Sequence, residues 1–265
     1  MNGPALFLIA TLLMLAVFGA LFFVCVKIKN YGFVDVAWSY GFAVVALLFA
    51  WLGGGFSARK LLVATMVTLW SLRLGTYLFV RVLGHHPVED GRYAALRESW
   101  KKNLALKFFA FFEFQALLVV AFSVPFLLAC MNPSPRIAPV EWLGVALWCV
   151  AIAAESTADR QMKRFKADPG NKGKVCQAGL WHYSRHPNYF FESLVWWAYF
   201  LFALGSPLGW TTVFCPLLML WFLFRVTGIP LTEEQAVRSK GDAYREYQRT
   251  TSAFVPWFKK APPTH

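Results

Sequence analysis

Charge is what this sequence has least of. Only 15% of its 265 residues are Asp, Glu, Lys or Arg, beside 58% hydrophobic and 18% aromatic residues. That deficit excludes an ordinary soluble domain, whose surface carries far more charge. Acidic residues are scarcer still, 14 against 26 basic, for a net charge of +12. Cys25, Cys130, Cys149, Cys176 and Cys215 are scattered, with no CxxC pair and no Cys/His cluster. No zinc site or disulfide framework is therefore indicated, and most of the cysteines are expected to be small apolar residues within helices. There is neither a GxGxxG pattern nor a Walker lysine, so Gly53–Gly55 is no nucleotide loop and no Rossmann domain is present. Repeats and low-complexity segments are also missing. The first apolar run, Ala5–Val26, lacks a basic leader and is long for a signal-peptide core, which predicts a retained helix.

Long apolar runs fill the chain instead. Hydropathy predicts an all-α fold, a polytopic membrane bundle of seven transmembrane helices at 5–26, 33–52, 61–80, 106–130, 139–157, 188–204 and 209–227. With the amino terminus outside, 22 basic residues fall in inner loops or the carboxy-terminal region, and only Arg59, Lys60 and Arg136 fall outside. This positive-inside bias predicts a cytoplasmic carboxy terminus. It also argues against nucleic acid as the partner of the basic charge. The outer connections are short and rich in Gly or Pro, so a soluble cofactor would be gripped on the cytoplasmic side. Ala261–His265 reads as a frayed tail.

Polar residues concentrate in a few places. Gly179–Glu192, GLWHYSRHPNYFFE, crowds Tyr183, Arg185, His186, Asn188, Tyr189 and Glu192 before an apolar run. Pro187 suits a first helical turn, which puts Asn188 and Glu192 on one face just inside the helix. An interfacial anchor would explain the Arg and Tyr residues, but not polar groups that run deeper. Asp35, Arg73, Glu113 and Gln115 lie within expected spans, where ionisable groups face a bundle interior or a wet cavity. Asp35, followed at helical spacing by Trp38, reads either as half of an ion pair with Arg73 or as part of a polar cavity among the first four helices. His85 and His86 have no second ligand pair, so they read as loop residues rather than metal ligands. Arg92 and Tyr93 are placed to approach an anionic ligand at the membrane surface.

Glu155 and Asp159 are four apart and precede Arg160, Lys163, Arg164 and Lys166. Carboxylates can accept from ribose hydroxyls while Lys and Arg hold phosphates, across a basic cluster that ends at Lys174. Anionic lipid is the competing partner for such a cluster. Gly170 and Gly173 would let the following loop fold over a ligand. The carboxy-terminal region reads as one amphipathic helix, with Tyr244 and Tyr247 on one face, followed by a surface strand or turn. It would form a lid over the same site.

At GLWHYSRHPNYFFE, and again at YQRTTSAFVPWF (Tyr247–Phe258), the sequence resembles the steroid 5α-reductase family, in its bacterial integral-membrane branch. The resemblance covers most of the chain and is specific mainly from Glu155 to Trp257. It implies a seven-helix bundle in one domain, with substrate-side helices over 1–130 and cofactor-binding helices and loops over 139–260. It further implies a bacterial inner membrane and reduction of the C4=C5 double bond of 3-oxo-Δ4-steroids by NADPH. By the same resemblance, Asn188 and Glu192 hold the nicotinamide, Asp159 with Glu155 before it meets the adenosine ribose, Lys166 meets phosphate, and Arg225 ends the last span; Arg164, Lys174, Tyr183, Arg185, His186, Tyr189 and Tyr244 are expected to line the same cofactor site. The acid of the second helix is Asp35. Its aromatic partner three before Arg73 is Trp70, with Tyr77 and Tyr40 nearby. A wider kinship with isoprenylcysteine carboxyl methyltransferases, in RHPNY and Glu233–Glu234, implies a second reading: S-adenosylmethionine-dependent methyl transfer to a lipophilic thiol or amine. A lipid-binding scaffold is the third. The expected partners are a lipophilic steroid-like substrate entering from the bilayer and the membrane lipids.

Overall fold

The structure, a computed structural model, describes residues 1–226 and 228–259. The tail expected at Ala261–His265 and position 227 of the last expected span lie outside them. Among the described residues every regular element is helical, and the one β pairing is an isolated parallel bridge between Ser184 and Ser252. Six helical stretches are long and apolar enough to cross a membrane: Gly3–Ile28, Phe33–Leu52, Ser57–His85, Leu104–Met131, Pro139–Ala167 and Gly209–Lys240. That set fits an integral membrane protein. The chain divides into two compact units, Met1–Ala138 with Ala203–Thr212, and Pro139–Phe202 with Val213 onward.

The first unit holds α1 (Gly3–Ile28), α2 (Phe33–Leu52), α3 (Ser57–His85), α4 (Gly91–Ser99), α5 (Leu104–Phe122) and α6 (Val124–Met131). The side chain of Asn2 caps α1 by accepting from the Ala5 N–H at 3.0 Å, and Pro4 sits in the first turn where no donor is lost. Its apolar residues run all round, as lipid contact on one side and protein on the other require. Packing runs chiefly between α2 and α3 and between α1 and α5. The single span expected at 106–130 is two helices. Ser123 Oγ donates back to the Val119 carbonyl at 2.7 Å, and Pro125 removes a backbone donor, so the helix ends and restarts there. Arg59, read from sequence as an outer-loop charge, is buried and donates to the carbonyls of Asn132 (3.1 Å), Ser134 (2.8 Å) and Arg136. It pins the segment after α6 by bonding three of its carbonyls, one of which, that of Asn132, also accepts from the Phe56 N–H at 2.9 Å.

The second unit holds α7 (Pro139–Ala167), α8 (Pro187–Ala203, which ends at the unit boundary), α9 (Phe214–Trp221), α10 (Ile229–Lys240) and α11 (Asp242–Thr250). A π-helical turn, Phe222–Val226, follows α9, so the last expected span is not one continuous α-helix. At 17 residues α8 is about 26 Å long at roughly 1.5 Å per residue, and it is the expected span that is missing from the six. The carboxy-terminal helix expected as one element is two, because Gly241 adopts φ 56 between α10 and α11. Within this unit Gly144 of α7 meets α8 so closely that a Cβ would lie 2.8 Å from the Ala198 carbonyl oxygen and the Phe202 nitrogen. Both are helical backbone and cannot turn aside. Gly144→Ala is therefore expected to destabilise the protein by about 1–3 kcal/mol, read as a lowered melting temperature in detergent. An unchanged melting point would mean that the two helices separate freely.

Candidate active site

The first unit gathers its ionisable residues where α2 begins. Asn30 Oδ1 accepts from the Gly32 N–H at 2.9 Å and shapes the turn that delivers Asp35 into the first turn of α2. Asp90 caps α4 by accepting from the Arg92 N–H at 3.0 Å, which places Arg92 and Tyr93 in the first turn of that helix. The two helix starts meet through side chains. Tyr93 Oη donates to Asp35 Oδ1 at 2.7 Å, and Arg92 Nη2 donates to Asp35 Oδ2 at 2.8 Å. Beside them Glu89 accepts from the Tyr31 N–H at 2.7 Å and pairs with Arg97, whose guanidinium lies over the Tyr31 ring.

Burial and the neighbouring Asp35 carboxylate push the Tyr93 phenol well above its ordinary value, so its proton is retained at neutral pH. Burial works against the Arg92 charge, but Asp35, Tyr93 and Asp90 more than offset it and leave its pKa above the usual value. The result is a neutral donor and a fixed cation on one carboxylate.

This corrects the partners expected for Asp35. The side-chain hydrogen bonds of its carboxylate go to Arg92 and Tyr93, not to Arg73, Trp70 or Tyr77. Trp70 is wholly buried, edge-on to Phe42, as an aromatic core residue. Tyr77 is 46% exposed on the outside of α3. Tyr40 donates to or accepts from Thr76 at 3.0 Å. One turn further along α2, the buried Trp38 Nε1 has no hydrogen-bond partner among the described residues, with its ring edge-on to Phe42. An unpaired buried N–H is costly, and so marks a place where a ligand acceptor would be held.

In the second unit the RHPNY stretch is tied to the carboxy-terminal helices. Arg185 Nε donates to Glu233 Oε1 at 2.6 Å and Nη1 donates to the Gln248 carbonyl at 3.0 Å and to that of Thr251. His186 Nε2 lies 3.2 Å from the same Glu233 oxygen, and Gln248 Nε2 donates to Oε2 at 2.9 Å. The Tyr189 ring stacks on His186, with its hydroxyl 3.2 Å from Thr232 Oγ1. Tyr247 donates to the Trp181 and Ser184 carbonyls, while Tyr244 is buried beside Arg185 and Glu233. Arg185, His186, Tyr189 and Tyr244 thus hold α10 and α11 against the start of α8. Sequence placed them on a cofactor, and it did not identify Glu233 as their common partner.

Deeper along α8, Asn188 Oδ1 is buried without a hydrogen-bond partner among the described residues. Glu192, one turn on, accepts from Trp196 Nε1 at 3.0 Å. Buried Tyr199, further along α8, accepts from Trp148 Nε1 of α7 at 3.2 Å through its hydroxyl, and Glu155 is buried on α7 as well. Sequence reasoning missed Tyr199, although it stands seven residues, two turns, from Glu192 on the same face. Half-buried Asp159 lies one turn beyond Glu155 on α7. Arg164 and Lys166 are exposed on its last turn, Lys174 is exposed in the next loop, and Arg225 is exposed in the π-helical turn. Tyr183, half-exposed, accepts from the Trp257 N–H through its carbonyl at 2.9 Å. The unpaired Asn188 oxygen would satisfy an amide donor, and the exposed basic residues would meet anionic groups.

The chain matches the family described as "protein of unknown function (DUF1295)" over residues 21–251. It is 30% identical over 278 residues to an uncharacterized protein of Schizosaccharomyces pombe, a likeness that covers 94% of this chain and 79% of that protein. No solved structure matches it. The family match takes in Asp35, Tyr93, Asn188 and Glu192.

Proposed function

The chain belongs to the DUF1295 family, and we propose that it is an integral-membrane, NADPH-dependent reductase of a lipophilic enone, of the 3-oxo-Δ4-steroid kind. It would cross the membrane seven times, with the amino terminus outside and the cofactor end in the cytoplasm. The observation that carries this reading is the Tyr93 hydroxyl on Asp35 at 2.7 Å, with Arg92 on the other oxygen. Reduction of an enone at its β-carbon leaves negative charge on the ketone oxygen. A neutral phenol that turns its one proton from the Asp35 carboxylate to the arriving ketone would offer that oxygen a hydrogen bond, and the fixed guanidinium beside it a compensating charge. Methyl transfer needs no such group. Glu233, which pointed to a methyltransferase in the sequence, is taken up by Arg185, His186 and Gln248.

NADPH, when bound, supplies the hydride. Asn188 and Glu192 would orient its amide end, Asp159 its ribose, and Arg164, Lys166 and Lys174 its phosphates. Tyr93 would turn its hydroxyl proton from Asp35 to the enone oxygen, while Arg92 would keep hold of the Asp35 carboxylate. Trp38 offers a second donor deeper in the span. The enolate left by hydride addition would then take a proton from water at its α-carbon, giving the saturated ketone.

Calorimetric titration of the protein in detergent should show NADPH binding that weakens as salt rises, because charge-assisted phosphate contacts are screened. Asn188→Ala and Glu192→Gln should each cost about 1.5–3 kcal/mol of hydride transfer with expression intact. Binding of S-adenosylmethionine in place of NADPH would favour the methyltransferase. Wild-type turnover in both variants would make this stretch structural.

A further inference from the structure

A groove of about 440 Å³ lies on the second unit between α11 and the segment that follows it. Nothing in the reductase reading uses it. Arg185, Gln248, Arg249, Thr251, Trp257 and Phe258 line it, and no acidic residue does. Glu233 and Glu246, which pair with the two arginines, form no part of its wall. Arg185 is fixed on the inner side, its side chain 10% exposed and held by Glu233 and two carbonyls. Arg249 stands on the outer side, its side chain exposed and paired with Glu246 at 3.2 Å.

Between the arginines the groove offers donors without partners. Thr251 is only 4% exposed, yet its hydroxyl makes no hydrogen bond among the described residues. The backbone N–H groups of Ala253 and Val255, which also line the groove, donate to no backbone carbonyl among the described residues, whereas Ser252 is engaged in the bridge with Ser184. An unpartnered hydroxyl and two backbone N–H groups, on residues that line one groove with two arginines and no carboxylate, describe a site for an oxyanion.

The rest of the groove is apolar. Trp257 and Phe258 are 68% and 74% exposed, and Val255 beside them is exposed as well. Large apolar groups in water are unfavourable unless something covers them. Their place in the fold indicates what does. Phe254 packs against Phe190 in the first turn of α8, at a centroid distance of 5.5 Å, and against Phe224 at the end of the apolar stretch after α9, at 4.8 Å. The segment is thus strapped across the ends of two apolar helices, at the level where hydrocarbon gives way to headgroups. Exposed Trp beside Arg suits that level, because the ring sits among glycerol and carbonyl groups while the cation meets phosphate.

We infer that this groove binds the headgroup of an anionic phospholipid, with the phosphate between Arg249 and the Thr251 hydroxyl and the glycerol end against Trp257 and Phe258. The bound lipid fixes the carboxy-terminal helices against the membrane. The site is separate from the reductase reading and stands whether or not the chain reduces enones.

Native mass spectrometry of the full-length protein in detergent tests this, with titration of phosphatidylglycerol, phosphatidylcholine and inorganic phosphate. Wild type is expected to bind phosphatidylglycerol about tenfold more tightly than phosphatidylcholine, with inorganic phosphate a poor competitor. Arg249→Gln and Thr251→Val should each weaken phosphatidylglycerol about five- to tenfold. Arg245→Gln removes the same charge from an arginine of α11 outside the groove, and should change nothing. Arg249 is exposed, so its variant reads binding even if the change at buried Thr251 disturbs folding; melting temperatures monitor both. Equal affinity for the two lipids, or wild-type affinity in Arg249→Gln, would overturn the site. Competition by inorganic phosphate at matched concentration would overturn the lipid assignment and leave a free-phosphate site.

Discussion

Tyr93→Phe is expected to lower the rate of reduction of a 3-oxo-Δ4-steroid such as progesterone by about two to three orders of magnitude, with NADPH affinity unchanged. The change removes one hydroxyl and keeps the ring, which packs edge-on to Phe111. It thereby removes a donor at the oxygen where charge develops. Because Asp35 and burial hold the phenol above its usual pKa, deprotonation of Tyr93 should begin to limit turnover only above the ordinary phenol value of 10.0. Asp35→Asn is the companion test. It leaves Arg92 paired with Asp90, whose Oδ1 accepts from Nε at 3.1 Å, so the melting temperature should change little while turnover collapses. A joint loss of stability and cofactor binding in Asp35→Asn would make the pair a structural clamp.

Arg185→Ala should have the largest effect on folding. It would leave the half-buried Glu233 carboxylate with only His186 and Gln248, and release the carbonyls of Gln248 and Thr251. Breaking an ion pair of this kind by removing one partner costs about 3–5 kcal/mol. The strap from α10 to Phe254 should then detach first, seen as rapid proteolysis near Gln248–Val255 and a lowered melting temperature. Arg185→Lys should restore little, since a lysine cannot bond a carboxylate and two carbonyls at once from a fixed fork. Intact resistance to protease in Arg185→Ala would show that Tyr247 and the Ser184–Ser252 bridge suffice.

The helices were legible because hydropathy over some twenty residues records the solvent directly. Their interruptions were less so. The break at Ser123 depends on one hydroxyl bonding back along the helix before Pro125, and the ending of the carboxy-terminal helix depends on the φ of Gly241. The stretch Gly179–Glu192 announced itself by crowding polar groups before an apolar run. What those groups do was divided by partners far away in the chain. Glu233, 48 residues from Arg185, turns Arg185 and His186 inward, while the buried Asn188 oxygen has no hydrogen-bond partner among the described residues. Tyr93 stands 58 residues from Asp35, in a loop-borne helix whose start Asp90 fixes. No periodicity links the two, so an aromatic residue on the neighbouring span took its place in the sequence reading. The basic residues of the last turn of α7 were legible as charge and have no local partner that would tell phosphate from lipid.

The central claim is hydride transfer to an enone, and isotope labelling reads it most directly. The protein, reconstituted in lipid, would be given progesterone with NADPH deuterated at the transferable position of the nicotinamide, and the product examined by mass spectrometry. The account predicts a saturated 3-oxo-steroid carrying one deuterium at the former β-carbon, formed by wild type and nearly abolished in Tyr93→Phe. Unchanged progesterone and NADPH, alongside transfer of a labelled methyl group from S-adenosylmethionine to a lipophilic acceptor, would contradict it.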